Sequence, residues 1–234
     1  DENSPDEFEN LYMCEFVTDG ESAFNLSQLL GGGADGYDDW PDWKPFASRP
    51  MGQREVWLGY DANGGSGNGD AGALSVTVPP LVAGGRFRTV ELKQLRGLEF
   101  EQQAAVIKEA AERYNVTHIA IDGQGVGEAV WQIVKNWFPA AICYQMSLSS
   151  KRALVLKMLQ VIRAGRWEYD RSEQGLVRAF NAVRKVVTPG GFITYETDRS
   201  RGVSHGDMAW ATMLSIINEP LGQESGGGGF AMGW

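Results

Sequence analysis

Two hydrophobic rhythms divide the chain. Short apolar runs predict strands at 56–61 (Val56-Trp57-Leu58-Gly59-Tyr60-Asp61), 71–78 and 86–95. A glycine-rich stretch from Asn63 to Asp70 separates the first two, and Pro79-Pro80 with Gly84-Gly85 brackets the turn between the second and third. Connections this short predict an antiparallel meander. After residue 95 the rhythm changes. Phe100, Ala104, Ile107, Ala111 and Tyr114 recur at helical spacing, predicting an amphipathic helix over 98–114. A strand at 117–122 follows, then a helix over 126–138, an extended piece at 141–146 and a helix over 150–164 with Leu154, Met158, Val161 and Ile162 on one face. The same spacing predicts a helix over 172–187, an extended piece at 191–197 and a last helix over 204–218.

This order predicts an α/β fold, a mixed sheet flanked by helices, in 51–220. The fourth strand can return parallel beside the first through the helical crossover. The carboxyl ends of strands one and four then meet at one edge of the crevice. Residues 1–50 read differently. They are acidic yet rich in aromatics (Phe8, Tyr12, Phe16, Phe24, Tyr37, Trp40, Trp43, Phe46), which predicts packing against the main domain or a neighbour. Pro41, Pro45 and Pro50 punctuate the end of that segment and place a boundary near 50. Residues 221–234, with Gly226-Gly227-Gly228-Gly229, have the composition of a flexible tail. A chain opening Asp1-Glu2-Asn3-Ser4 without Met is expected to be a fragment or a processed product. That opening has neither the basic nor the apolar region of a signal peptide.

Composition narrows the chemistry. At 234 residues and 43% hydrophobic, the chain can bury a sizeable core. No apolar run approaches the length of a membrane helix, so no membrane partner is expected. Cys14 and Cys143 form no framework, and with His118 and His205 they offer no zinc spacing, so any metal should be a hard ion held by oxygen. The net charge of −9 is uneven. Residues 1–50 hold 12 acidic residues against Lys44 and Arg49, whereas 151–201 hold 11 basic residues against 5 acidic. That basic stretch predicts a surface for a phosphate backbone, and the solvated-face alternative stands for any single member.

Asp61 ends the first strand, Asp122 ends the fourth, and Asp207 opens the last helix. Singly, each has an ordinary explanation. Asp61 and Asp122 precede glycines as turn formers do, and Ser204-x-x-Asp207 reads as a capping box. Together, on a strand order that gathers them, they form a ligand set for Mg²⁺ or Mn²⁺, because clustered carboxylates in a crevice repel one another unless a cation intervenes. Asp70 reads as turn chemistry, and His205 as a polar residue that could contact phosphate. Gly67-x-Gly69-x-x-Gly72 matches a dinucleotide fingerprint in letters but precedes a strand, and Gly123-x-Gly125-x-Gly127 follows a carboxylate. No lysine follows a glycine, so no Walker A phosphate loop is encoded.

Five stretches, Val56–Asp61, Gly69–Leu74, Tyr114–Asp122, Lys151–Lys157 and Ser204–Ala211, resemble the C-terminal nuclease domain of tailed-bacteriophage terminase large subunits, nearest to the cohesive-end branch. The resemblance covers most of 54–220. It implies an RNase H-like fold and a two-metal endonuclease that uses Mg²⁺ or Mn²⁺ to cut double-stranded DNA during capsid filling in the host cytoplasm. Asp61, Asp122 and Asp207 take the places of its catalytic acids. It further implies an ATPase domain outside this chain, joined through residues 1–50, with the small terminase subunit and portal as partners. A Holliday-junction resolvase-like nuclease and a non-catalytic packaging module are the alternatives.

Overall fold

The computed structural model describes residues 22–62, 71–197 and 206–219. Its centre is the expected meander: β2 (Glu55–Asp61), β3 (Gly72–Val78) and β4 (Phe87–Leu95), paired antiparallel in that order. Helix α3 (Phe100–Arg113) crosses over to β5 (Asn115–Asp122), which pairs parallel with β2. Helix α4 (Val126–Trp137) leads to the short β6 (Ile142–Tyr144) at the sheet edge. Then come α5 (Leu148–Arg163), β7 (Trp167–Asp170), α6 (Gln174–Asn181), the hairpin of β8 (Val183–Val187) and β9 (Ile193–Thr197), and α7 (Gly206–Ser215). Before them lie α1 (Leu26–Leu30), β1 (Gly33–Ala34) and α2 (Gly36–Asp39). The seven-stranded order is β1-β7-β4-β3-β2-β5-β6, a mixed sheet with helices on both faces.

Strand alternation sorts the two faces. Val56, Leu58 and Tyr60 of β2, Leu74, Val76 and Val78 of β3, and Ile119 and Ile121 of β5 all enter the core under α3 and α4. Their alternates, including Trp57, Ala73 and Ala120, face the other core, built on α5, α6 and α7. Asp61 and Asp122 fall on this second set. The same parity that buries Tyr60 and Ile121 on one side sends both carboxylates to the side where α7 lies.

Three findings differ from or add to the expected elements. The helix expected over 172–187 ends at Asn181, and 183–187 is a strand paired with β9. Thr188-Pro189-Gly190-Gly191 supplies the turn, closed by Gly191 N–H to Thr188 O at 2.8 Å. Strand β7, which no apolar run announces, inserts parallel between β1 and β4. The acidic aromatic segment, where described, packs on the domain. Phe24, Leu26 and Leu29 join the core, Trp40 Nε1 donates to Glu168 (3.2 Å), and Asp42 accepts both terminal nitrogens of Arg88 at 2.6 Å. Residues 1–21, the 63–70 loop, Ser204, His205 and the tail after 219 lie outside the described residues.

Candidate active site

Parallel pairing sets Tyr60 opposite Ile121, so Asp61 and Asp122 emerge as neighbours where β2 and β5 end. The backbone beyond each strand is tightly fitted. Gln124 N–H donates to Asp122 Oδ1 at 2.9 Å, and a Cβ on Gly127 would fall 1.7 Å from Asp122 O, so only glycine lets α4 start this close to the strand.

Asp207 arrives from above, in the first turn of α7. This helix lies across β2 and β3 and reaches β5. It comes close because Gly59, two residues before Asp61, has no side chain. A Cβ there would stand 2.0 Å from Ala211 O and 2.3 Å from Ser215 N. At the same end of the helix, Trp210 Nε1 donates to Thr197 Oγ1 (2.9 Å), and the Lys151 ammonium sits 5.9 Å from the Trp210 ring centroid. Lys151 stands in the first turn of α5, which Ser147 caps by accepting from Ser150 N–H at 3.2 Å.

The electrostatics join these groups into one site. Burial pushes the Asp61 carboxyl well above its usual range, and the charges of Asp207 and then Asp122 push it further; it also hydrogen-bonds Asp122. Burial likewise raises Asp122, while its bonds from Gln124 and Asp61 and the Lys151 charge act the other way. Lys151 thus acts on both acids. Among the described residues the donor set is carboxylate oxygen without thiolate or imidazole, and it carries more acidic groups than one lysine balances, which fits a divalent cation. Asp61 and Asp122 are the two residues that could hold such an ion together, with Asp207 acting on Asp61 by charge. Among the described residues no three acidic, His or Cys side chains are gathered closely enough to form a metal cage.

The structure sets Asp61 and Asp122 side by side and puts Asp207 near enough for its charge to act on Asp61. Asp70 and His205 lie outside the described residues. The basic stretch divides. Arg166 is held by Glu219 (2.6 Å) and Gly85 O (3.0 Å), Arg171 donates to Gly33 O, Arg184 to Asn181 O, and Lys157 to the carbonyls of Ile217 and Glu219 beyond the end of α7. These four stabilise the fold, as lysine at a helix carboxyl end does. Arg152, Arg163 and Lys185 are exposed. Lys151 is one of eleven basic residues in 151–201, and the Ser147 cap, which places position 151 in the first turn of α5, is the local signal that distinguishes it.

A mixed sheet with two acids at adjacent parallel strand ends and a third on a helix laid across them defines an RNase H-like protein. The family model of the terminase RNaseH-like domain matches residues 58–219, and the chain belongs to that family. It is 45% identical over 221 residues to the terminase ATPase subunit of Escherichia phage P2, covering 94% of this chain and 37% of that protein. It is 34% identical over 216 residues to the probable terminase ATPase subunit of Haemophilus phage HP1, covering 92% and 35%. The chain therefore spans little more than a third of these relatives. Among solved structures, the large terminase nuclease of thermophilic phage G20c superposes with a TM-score of 0.64 at 18% identity, over 86% of this chain and all of that one. Its magnesium-bound form gives 0.64 at 18%, over 85% and 98%. The nuclease domain of the SPP1 large terminase with bound manganese gives 0.50 at 11%, over 70% and 86%. These likenesses establish the large terminase nuclease-domain fold.

Proposed function

We propose that this chain is the metal-dependent endonuclease of a terminase large subunit, cutting double-stranded viral DNA during genome packaging. The observation that carries the reading is the placement of Asp61 and Asp122 side by side at adjacent parallel strand ends, with the Asp207 charge from α7 acting on Asp61. Relatives named as ATPase subunits and neighbours solved with magnesium or manganese support it. Asp61 and Asp122 would hold the ions, with Asp207 completing the set. A pair of Mg²⁺ or Mn²⁺ ions would supply Lewis-acid polarisation of the phosphodiester and acidify the attacking water.

The chain's own residues do the rest. Burial and the charges of Asp207 and Asp122 disfavour an ionised Asp61, so a cation bound beside it would be strongly favoured. Asp122 is anchored by the Gln124 amide and shares a hydrogen bond with Asp61, which keeps the two carboxyl groups side by side for a shared ligand. Lys151, aligned by the capped turn of α5 and the Trp210 ring, presents a cation to the phosphate and needs no ion to do so. Further partners follow from the family: an ATPase domain, the small terminase subunit and the portal, acting in the host cytoplasm.

The test is nicking of supercoiled plasmid in Mn²⁺. Wild-type protein converts it to open circles and linear product, and excess EDTA stops the reaction; conversion that persists in EDTA overturns the metal reading. Lys151→Gln gives a second, sharper result. Cleavage falls on the order of 10- to 100-fold, as for loss of one charged donor to a developing oxyanion. Calorimetry meanwhile shows Mn²⁺ binding at least as tight as wild type, because a competing cation has gone. No change in either quantity would make Lys151 a packing residue of Trp210.

A further inference from the structure

The face that α7 covers is unusual for a sheet interior: beneath the helix it presents Gly59, Ala73, Ser75 and Thr77, with Thr89 one strand further on. Every one of these hydroxyls is buried, and they are linked. Thr212 Oγ1 lies 3.3 Å from Ser75 Oγ, and Ser215 Oγ lies 2.7 Å from Thr77 Oγ1. Thr77 Oγ1 in turn stands 3.4 Å from both Ser75 Oγ and Thr89 Oγ1. Trp167 Nε1 on β7 donates to Thr89 Oγ1 at 3.0 Å and ends the chain. The two helix hydroxyls do not need the sheet for satisfaction. Thr212 also bonds Met208 O (2.8 Å) and Ser215 bonds Thr212 O (2.7 Å), the usual local arrangement. Their reach across to β3 is additional, and it is directional where the rest of the interface is not.

Direction matters because of what α7 carries. Small residues let a helix lie close to a sheet, but smooth apolar contact leaves it free to slide along its axis. A slip of one residue is about 1.5 Å. Carboxylates around a divalent ion tolerate departures of roughly 0.2 Å. Asp207 stands two turns from Ser215 on the same rigid helix, so any axial error at Ser215 reappears at Asp207.

We propose that Thr77 and Ser215 are positioning residues: their hydrogen bond, braced by Ser75, Thr89 and Trp167, fixes the axial register of α7 and so sets Asp207 against Asp61. The register part stands on the hydrogen bonds alone; its consequence for metal rests on the function proposed above. Thr77→Val keeps the shape and removes the hub hydroxyl. Thr77→Ser keeps the hydroxyl and loses a methyl.

The decisive experiment pairs hydrogen exchange of the 206–215 amides with Mn²⁺ calorimetry on the whole chain, well below the melting temperature. In Thr77→Val and in Ser215→Ala, exchange across the first turn of α7 speeds up about tenfold, and Mn²⁺ affinity falls about tenfold, as when a supporting partner of a ligand is lost. Thr77→Ser stays within about twofold of wild type in both. Wild-type exchange in α7 with wild-type Mn²⁺ affinity in Thr77→Val, even at a lower melting temperature, overturns the proposal by making the hydroxyls mere core filling. Equal loss in Thr77→Ser does the same, since the methyl and not the hydroxyl would then matter. If wild-type protein itself binds no Mn²⁺, the metal reading fails, and the exchange rates still decide the register.

Discussion

Asp61→Asn is expected to lower plasmid cleavage in Mn²⁺ by at least about a thousandfold while making the metal-free protein more stable at pH 8. The first half follows from loss of a ligand whose ion contributes several kcal/mol to the barrier, each 1.4 kcal/mol being about tenfold. The second follows from the sign of the pKa change. Asp61 is raised above its usual 3.8 by burial, by Asp207 and by Asp122. Its favourable contribution is present while it is protonated and is lost as pH rises through its raised folded value. The neutral amide removes that loss. Wild type should therefore fall behind Asp61→Asn in melting temperature as pH climbs from about 4, and Mn²⁺ should restore wild type by binding the folded state, with little effect on the variant. Glu173, pushed to about 7 by burial and then by the Asp170 charge, adds its own slope to both proteins and cancels in the difference. Undiminished cleavage by Asp61→Asn and by Asp122→Asn would remove both from the site.

Why Asp61 and Asp122 could be found in the sequence, and other features could not, comes down to which forces set each element. Short apolar runs ending in Asp specify a strand and its exit together, and a helical crossover leaves few topologies. Parity then puts both acids on one face. Strand β7 has no such signal. Trp167-Glu168-Tyr169-Asp170 is four residues long, and its identity as a strand comes from β1 and β4 on either side. The stretch 172–187 is deceptive for a different reason. Leu176, Val177, Phe180 and Val183 keep helical spacing across the junction and all enter one core, so the period persists after the helix has ended. Only the Pro-Gly-Gly turn, which needs a strand on each side, betrays the change. Charge composition misled in part as well. Lys157, Arg166, Arg171 and Arg184 count the same as Lys151 in the composition, and what separates them is which carbonyl or carboxylate lies within reach. The hydroxyls of Ser75 and Thr77 alternate along one face of their strand, and burial obliges each to find a partner. Nothing in the chain's order says that the partners are Thr212 and Ser215, well over a hundred residues away, because that pairing depends on where α7 comes to rest.

The seat of α7 makes Gly59→Ala a severely damaging substitution. Its Cβ would fall 2.0 Å from Ala211 O, 2.3 Å from Ser215 N and 2.9 Å from Ser215 Cα. All three are backbone atoms, so no rotamer change makes room; helix or strand has to move by about an ångström or more. Overpacking of this kind costs on the order of 3 kcal/mol or above, which for a chain of this size is a fall of roughly 6–12 °C in melting temperature. The same displacement carries Asp207 away from Asp61 and parts Ser215 from Thr77, so the folded fraction should also lose cleavage. Gly190→Ala, in the β8–β9 turn with open space around it, is the matching control and should change neither quantity. Equal melting temperatures for the two variants would mean that α7 does not lie on β2 as closely as Gly59 permits, and the convergence of the three aspartates would lose its structural basis.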